Sequence, residues 1–313
     1  MGGAEQVPPH AFTIAGDRLL GASFRREAGR FRLVERHAVA LPAGALPAGA
    51  LGGPVADGGL LAAAVGELVG RFAKPPGRAS LVLPDAWARG LVVELGALPE
   101  RADLRTEILR FRLKKLVPFR VEELRVVAVP IASVAGQEDP VRALALYASE
   151  ALCAGLESAF AASGVHLGQI VGASLARLAA LAHGGRLAGL VALASVEPAG
   201  FTLVFARDGE PVVWRQKSFA EGEEGETRAP QLAAELRLTR TFLAERLGVP
   251  HVDAVVLAAP DEVRATWSAA LSDGLGRPVA TLAADWLPLV AETSAAGEAG
   301  LATLVGAVCR EVA

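Results

Sequence analysis

Apolar and polar positions trade places at period two along "AFTIAGDRLLGASFRREAGRFRLVERHAVAL", and the "EAG" at 27–29 turns the run back on itself. The pattern predicts two antiparallel strands. "LPAGALPAGALGGP" is a short Pro- and Gly-bearing direct repeat and predicts a loop. Leu60 to Phe72 has helical spacing. Ala79 to Asp85, "ASLVLPD", reads as a buried strand stopped by Pro-Asp. The pattern then predicts a strand at Gly90 to Leu95, a helix near Asp103 to Leu116, strands at Leu124 to Ile131 and Val141 to Tyr147, and a helix from Glu150 to Ser163. These form a compact α+β module.

The second half alternates more regularly. "GVHLGQIVGA" leads into a helix around Ser174 to Ala182. Two strand regions follow, "GLVALASV" and "GFTLVFARDGEPVVWRQKSF", the second folded at Asp208-Gly209, a strong hairpin signal. "AEGEEGETRAP" is a polar loop. From Pro230 to Leu247, the positions Leu232, Leu236, Thr239, Leu243 and Leu247 form one buried helical stripe. "HVDAVVLAAP" is a strand of the parallel, doubly buried kind. A helix, a short strand at Pro278 to Leu282 and a helix at Glu298 to Val312 follow. This alternation predicts an α/β architecture with the α+β module inserted in its first half.

Composition narrows the options. The 313 residues are 52% hydrophobic with mean hydropathy +0.38, enough for a large core. Net charge is -3 and the pI about 6.0, which gives no reason to expect nucleic acid. Cys153 and Cys309 sit in apolar helical patterns, as buried small hydrophobes in a chain that reads as intracellular. "MGGAEQVPPH" lacks the basic and apolar regions of a signal peptide. The most apolar window, Leu175 to Val196, carries Arg177, His183, Gly184, Gly185 and Arg186 and does not read as a spanning helix.

A search for chemistry finds little. His10, His37, His166, His183 and His251 show no metal-ligand spacing. No nucleophile elbow, Walker loop or dinucleotide fingerprint is present. The acidic run Glu221 to Glu226 reads as a solvated loop. Asp85 is the best lone catalytic carboxylate, but its position after a strand fits a helix cap or turn better. No catalytic residue and no metal site are expected, because an enzyme needs several groups converging on one reacting atom.

Residues Leu81 to Leu181 resemble the PilM family of type IV pilus assembly proteins. The text that carries the resemblance is Leu83-Pro84-Asp85, then Val117-Pro118-Phe119, then Glu122-Glu123, followed by "ALALYASEALCAGLESAFAASGVHLGQIVGASLARLAAL". FtsA and the cytoplasmic part of GspL belong to the same superfamily. The resemblance implies an actin-like (ribonuclease H-like) two-lobe fold with an inserted α+β module. Residues 10–88 and 165–190 would form the first lobe, 89–164 the module, and 191–313 the second lobe with a reduced outer subdomain. The final helix is free to return to the first lobe.

Actin-like ATPases hold phosphate in three glycine-bearing turns, and all three are altered here. Thr13 and Ala15 stand where the family pattern has Asp and Gly, with Gly16-Asp17 one residue further on. Val196-Glu197-Pro198 replaces the second turn, and Pro198 has no N–H to offer. Ala258 and Ala259, followed by Pro260, replace the paired glycines of the third. The expectation is a pseudo-ATPase without cofactor. The alternatives are an active actin-like ATPase or kinase that uses ATP and Mg²⁺ through divergent loops, and a GspL-like component of type II secretion.

The resemblance also implies a partner: the cytoplasmic N-terminal tail of a PilN-like inner-membrane protein, docked in a groove where the inserted module meets the first lobe. Other platform components or cytoplasmic motor ATPases are further candidates. The chain would be cytoplasmic and peripheral to the inner membrane. In the predicted helix near Asp103 to Leu116, Leu109, Leu113 and Leu116 fall on one stripe, assigned to the core. Ile108, Phe111 and Lys115 form a second strip, either a wider core face or one wall of the groove. Arg110 and Lys114 fall on the wet face, as solvated charges or as contacts to anionic lipid or an acidic partner. Pro118 and Phe119 complete the candidate partner-binding set as the junction between helix and strand.

Overall fold

Gly16 adopts a φ of +61°, a left-handed conformation that glycine enters without steric penalty. The turn it makes with Asp17 divides the N-terminal run into three strands, where periodicity alone predicted two: β1 (His10–Ala15), β2 (Arg18–Glu27) and β3 (Arg30–Ala40). Alternation persists through a two-residue hairpin, so it does not mark where one strand stops. Next come α1 (Gly58–Gly70), β4 (Arg78–Leu83), β5 (Arg89–Leu95), α2 (Ala102–Leu113), β6 (Leu124–Ile131) and β7 (Val141–Ser149). Then follow α3 (Glu150–Ala161), β8 (His166–Gly172), α4 (Ala173–His183), β9 (Leu190–Glu197), β10 (Gly200–Arg207) and β11 (Glu210–Ser218). The order finishes with α5 (Gly225–Leu247), β12 (Ala254–Ala258), α6 (Asp261–Leu275), β13 (Val279–Thr281) and α7 (Ala299–Cys309). This computed structural model describes residues 7–47, 51, 53–55, 57–96, 99–131, 141–219, 225–249, 251–290 and 299–309. Most of the 41–54 repeat is described. Residues 221–224 of the expected acidic loop, position 298 and the stretch from 310 on lie outside the described residues.

The chain divides into two compact units. The first comprises Met1–Trp87, Ala151–Arg186 and Thr281–Ala313. Its sheet has the order β3-β2-β1-β4-β8, antiparallel through β1 and parallel beyond it. On one face Phe12 packs 5.0 Å from Phe160 of α3 and 5.8 Å from Phe72, just beyond α1. On the other, Ala11, Leu20, Ala22 and Val82 meet α4 and α7 in one buried cluster. Helix α3 was grouped with the inserted module in the sequence reading. Here it belongs almost wholly to the first unit, through Phe160 and through Gly155 against Val55.

Helix α7 is buried on all sides from Gly300 to Cys309, as its all-round apolar sequence requires. It lies against α4 so closely that a Cβ on Gly306 would sit 1.8 Å from the Ala176 carbonyl oxygen. Gln169 of β8 fastens it from below, donating to the Ala307 carbonyl at 2.7 Å and to the Ser80 hydroxyl at 2.8 Å. Ahead of α7, the Phe31 amide donates to the Pro288 carbonyl and the Val290 amide to the Phe31 carbonyl, so this segment docks along β3. Cys309 is buried there, and burial pushes its thiol up to about 12.

Helix α4 receives its cap from a distant loop. No side chain at its own N-cap, Gly172, makes the bond. Instead Asp85, buried after β4, accepts from the Ser174 backbone amide at 2.9 Å and from the Ser174 hydroxyl. A carboxylate at a helix N-terminus satisfies an orphan N–H and complements the dipole.

The second unit comprises Ala88–Glu150 and Leu187–Ala280. Its sheet has the order β11-β10-β9-β12-β13, the antiparallel-then-parallel scheme of the first unit repeated. Asp208 (φ +50°) and Gly209 (φ +91°) form the β10–β11 turn that the Asp-Gly pair predicts. Leu232, Leu236, Thr239 and Leu243 of α5 are buried, and the three leucines share a cluster with Trp267 and Leu271 of α6. The side chain of Leu247 lies outside the described residues. Helix α5 starts at Gly225, five residues before the Pro230 boundary expected from sequence. Proline φ is itself helical, so the residue removes one donor without forcing a helix start. The inserted strands form a sheet β5-β7-β6, with α2 packed on β6.

Two substitutions test this arrangement. Gly306→Ala forces α4 and α7 apart and is expected to lower unfolding free energy by about 2 kcal/mol. Asp85→Ala uncaps α4 and leaves its donors buried, at a cost of about 2 kcal/mol. Urea midpoints at unchanged slope are the measurement; wild-type midpoints in both variants contradict these roles.

Candidate peptide-docking face and the altered phosphate turns

Helix α2 buries Leu109 and Leu113 completely. It ends at Leu113, and residues 114–116 form a turn in which the Leu116 amide reaches back to the Leu113 carbonyl. The 100° register that placed Leu116 in the core therefore stops short of it, and Leu116 is 57% exposed. This corrects the sequence expectation. Phe111 is 65% exposed, so it is no part of the core; Ile108 is half-buried. Leu104 lies four residues before Ile108 and seven before Phe111, and is exposed too. The three fall on one helical stripe, well round from Leu109 and Leu113. Sequence reasoning passed over Leu104, although the spacing pointed to it.

Lys115 folds its ammonium over the Phe111 ring at 5.2 Å. Pro118 is exposed and Phe119 half-buried under the Arg89 guanidinium, 5.6 Å from its ring. Arg110 was assigned to the wet face. It is exposed but donates to the Leu124 carbonyl at 3.2 Å, tying α2 to β6. Lys114 stands 3.5 Å from Glu122. Val127, on the edge strand β6, adds another exposed apolar side chain to the module.

Arg89 anchors the module. It donates to the Ser218 hydroxyl at 2.8 Å and is hydrogen-bonded to Tyr147. Burial draws the Arg89 guanidinium below its usual range and pushes the Tyr147 phenol up, each opposed by the bond between them. Beside it the Trp214 indole lies so near β5 that a Cβ on Gly90 would come within 2.6 Å of it. No sequence motif marked Arg89; an arginine opening a strand has many uses.

The altered turns have definite places. Thr13 is buried on β1 between Leu20 and Val82, on the face that meets α7, its methyl 3.9 Å from where a Gly300 Cβ would stand. Ala15 is the last residue of β1, and the turn glycine is Gly16. In the second unit Pro198 and Ala199 make the two-residue turn between Glu197 and Gly200, and Val196 lies on β9 before it. Ala258 is paired with Ser195, so the second and third turns lie on adjacent strands. Ala259 is buried and Pro260 caps α6 without a side-chain bond. The first turn of α6 carries Asp261 and Glu262, and Arg264 pairs with Asp261 and donates to the Ala259 carbonyl at 3.3 Å. A helix N-terminus attracts anions; two carboxylates in its first turn oppose a phosphate there. Ser195 and its cross-strand neighbour Thr202 are fully buried.

Asp85 is committed to α4. Among the described residues no three His, Cys, Asp or Glu side chains are grouped to hold a metal ion. No helix among them is long and apolar enough to cross a membrane.

No protein-family model matches the sequence, and no curated protein matches it. Solved structures do. The PilM-PilN type IV pilus biogenesis complex aligns with a TM-score of 0.74 and 16% identity, over 97% of this chain and 97% of that one. A Bacteroides thetaiotaomicron protein with an actin-like ATPase fold and unknown function aligns at 0.51 and 11% identity, over 90% of this chain and 94% of that one. The cytoplasmic domain of EpsL, an inner-membrane component of the Vibrio cholerae type II secretion system, aligns at 0.46 and 11%, over 80% and 82%. The matches above a TM-score of 0.5 show that the chain has an actin-like fold, similar over nearly its full length to the chain from the PilM-PilN complex.

Proposed function

We propose that the chain is a non-catalytic, actin-like scaffold of a type IV pilus assembly platform, which binds the cytoplasmic tail of a PilN-like membrane protein. The observation that carries this reading is the near-complete fold match to a PilM solved in complex with PilN. The docking face in this reading is the strip of half-buried Ile108 and exposed Phe111 and Lys115, extended by Leu104 and closed by Pro118 and Phe119. An apolar strip with cationic anchors suits helix-in-groove or extended-peptide docking. The protein would work in the cytoplasm, at the inner membrane.

The pseudo-ATPase part of the proposal rests on the three turns. Thr13 replaces a carboxylate that would position Mg²⁺. Pro198 lacks a backbone donor. Ala258 and Ala259 bring methyl groups where a close phosphate approach favours glycine. Asp261 and Glu262 add charge of the wrong sign.

Calorimetry with a synthetic PilN tail peptide tests the docking reading. Binding is expected, and Ile108→Ser with Phe111→Ser should weaken it by about tenfold or more, as loss of central apolar anchors does. Absence of both heat and a melting shift with the wild-type chain overturns the reading. In a separate measurement Mg-ATP should leave the melting temperature unchanged; a saturable rise at micromolar Mg-ATP defeats the pseudo-ATPase assignment.

A further inference from the structure

The end of α2 concentrates positive charge in a chain whose net charge is negative. Between Ile108 and Arg120 lie Arg110, Arg112, Lys114, Lys115 and Arg120, with no carboxylate among them, in a protein of net charge -3. All five are exposed. The flanking Glu122 and Glu123 neutralise part of this: Glu122 lies 3.5 Å from Lys114, and Glu123 pairs with Arg120 at 2.8 Å. Arg110 is spent on the Leu124 carbonyl without losing its charge. Arg112 is exposed, and Lys115 is exposed with its ammonium over the Phe111 ring.

The same segment carries two large apolar side chains, Phe111 and Leu116, each more than half exposed. Exposed leucine and phenylalanine are unfavourable in water, and their grouping with cations at one tip marks an interaction surface. Leu116 stands on a turn past the helix end, so it protrudes. A protruding apolar tip needs a recess in a folded partner, whereas a fluid interface accepts it anywhere. Basic clusters with one or two inserted apolar residues bind anionic headgroups reversibly, the cations attracted by surface potential and the apolar groups entering the acyl boundary.

We propose that the C-terminal end of α2, built from Arg112, Lys114 and Leu116 with Phe111 beside them, is a peripheral membrane contact that binds a bilayer rich in anionic phospholipid. Phe111 also belongs to the docking strip, so the two readings are separated by experiment: a soluble peptide titration measures one, and vesicles without peptide measure the other.

The test is co-sedimentation of the full chain with vesicles of phosphatidylcholine alone or with added phosphatidylglycerol. Binding to the anionic vesicles should exceed that to neutral ones by about tenfold and fall steeply with added salt. Arg112→Glu combined with Leu116→Ser should remove about tenfold of the anionic binding, with the melting temperature and tail-peptide affinity unchanged. Equal sedimentation with both vesicle types, or an unaltered double variant, overturns the proposal. Retention on an immobilised acidic polypeptide without vesicle binding also overturns it and assigns the cations to a protein partner.

Discussion

The first unit depends on the absence of a side chain at Gly306. Helices α4 and α7 meet there backbone to side chain position, with no room for a methyl group. That approach lets α7 fill one face of a sheet whose other face is covered from α1 and α3. Small residues on α4, Ala173, Ala176 and Ala180, share the same buried cluster and keep the axes near. Since cores are packed to crystal-like density, an enlarged α4–α7 spacing would be felt at Ala11, Val82 and Val171, which the pair covers. Asp85 then holds the start of α4, and Gln169 ties α7 to the sheet. Steric closeness, a buried cap and a side-chain bridge thus act on one helix pair.

The three turns that the proposed reading assigns to a lost phosphate site each sit at the end of a regular strand. β1 still ends in a glycine turn, but at Gly16. β9 and β10 still form a tight hairpin, with proline at its tip. β12 still feeds a helix N-terminus, and that terminus presents Asp261 paired to Arg264.

Much of this was legible in sequence wherever one face is buried and one period holds. The α5 stripe is the clearest case, because Leu232, Leu236, Thr239 and Leu243 all face a single core. Leu124 to Ile131 matched a strand with its observed bounds. Failures came where periodicity carries no information on termination. Leu116 continued the α2 pattern after the helix had ended, and so was assigned to the core although it is exposed. The Gly16 turn interrupts an alternation that a two-residue hairpin leaves intact. The sequence left open whether the candidate strip was wet, since that depends on what packs above it; Phe111 is exposed and Ile108 half-buried. Arg89 was invisible, because its partners Tyr147 and Ser218 are distant in sequence.

The discontinuity of the first unit also imposes an order on its making. Its opening strands leave the ribosome long before the helix that seals them. Thr13 and Gly300 meet across almost the whole chain, so β1 waits with one apolar face unsealed while the inserted strands and the second sheet are synthesised. Loop closure over such separations is slow, and exposed strands invite wrong pairings. The β9-β10-β11 meander of the second unit is made of consecutive hairpins and can form from local contacts. Assembly of the nascent chain is therefore expected to begin in its middle, with the earliest-made sheet among the last parts to become native.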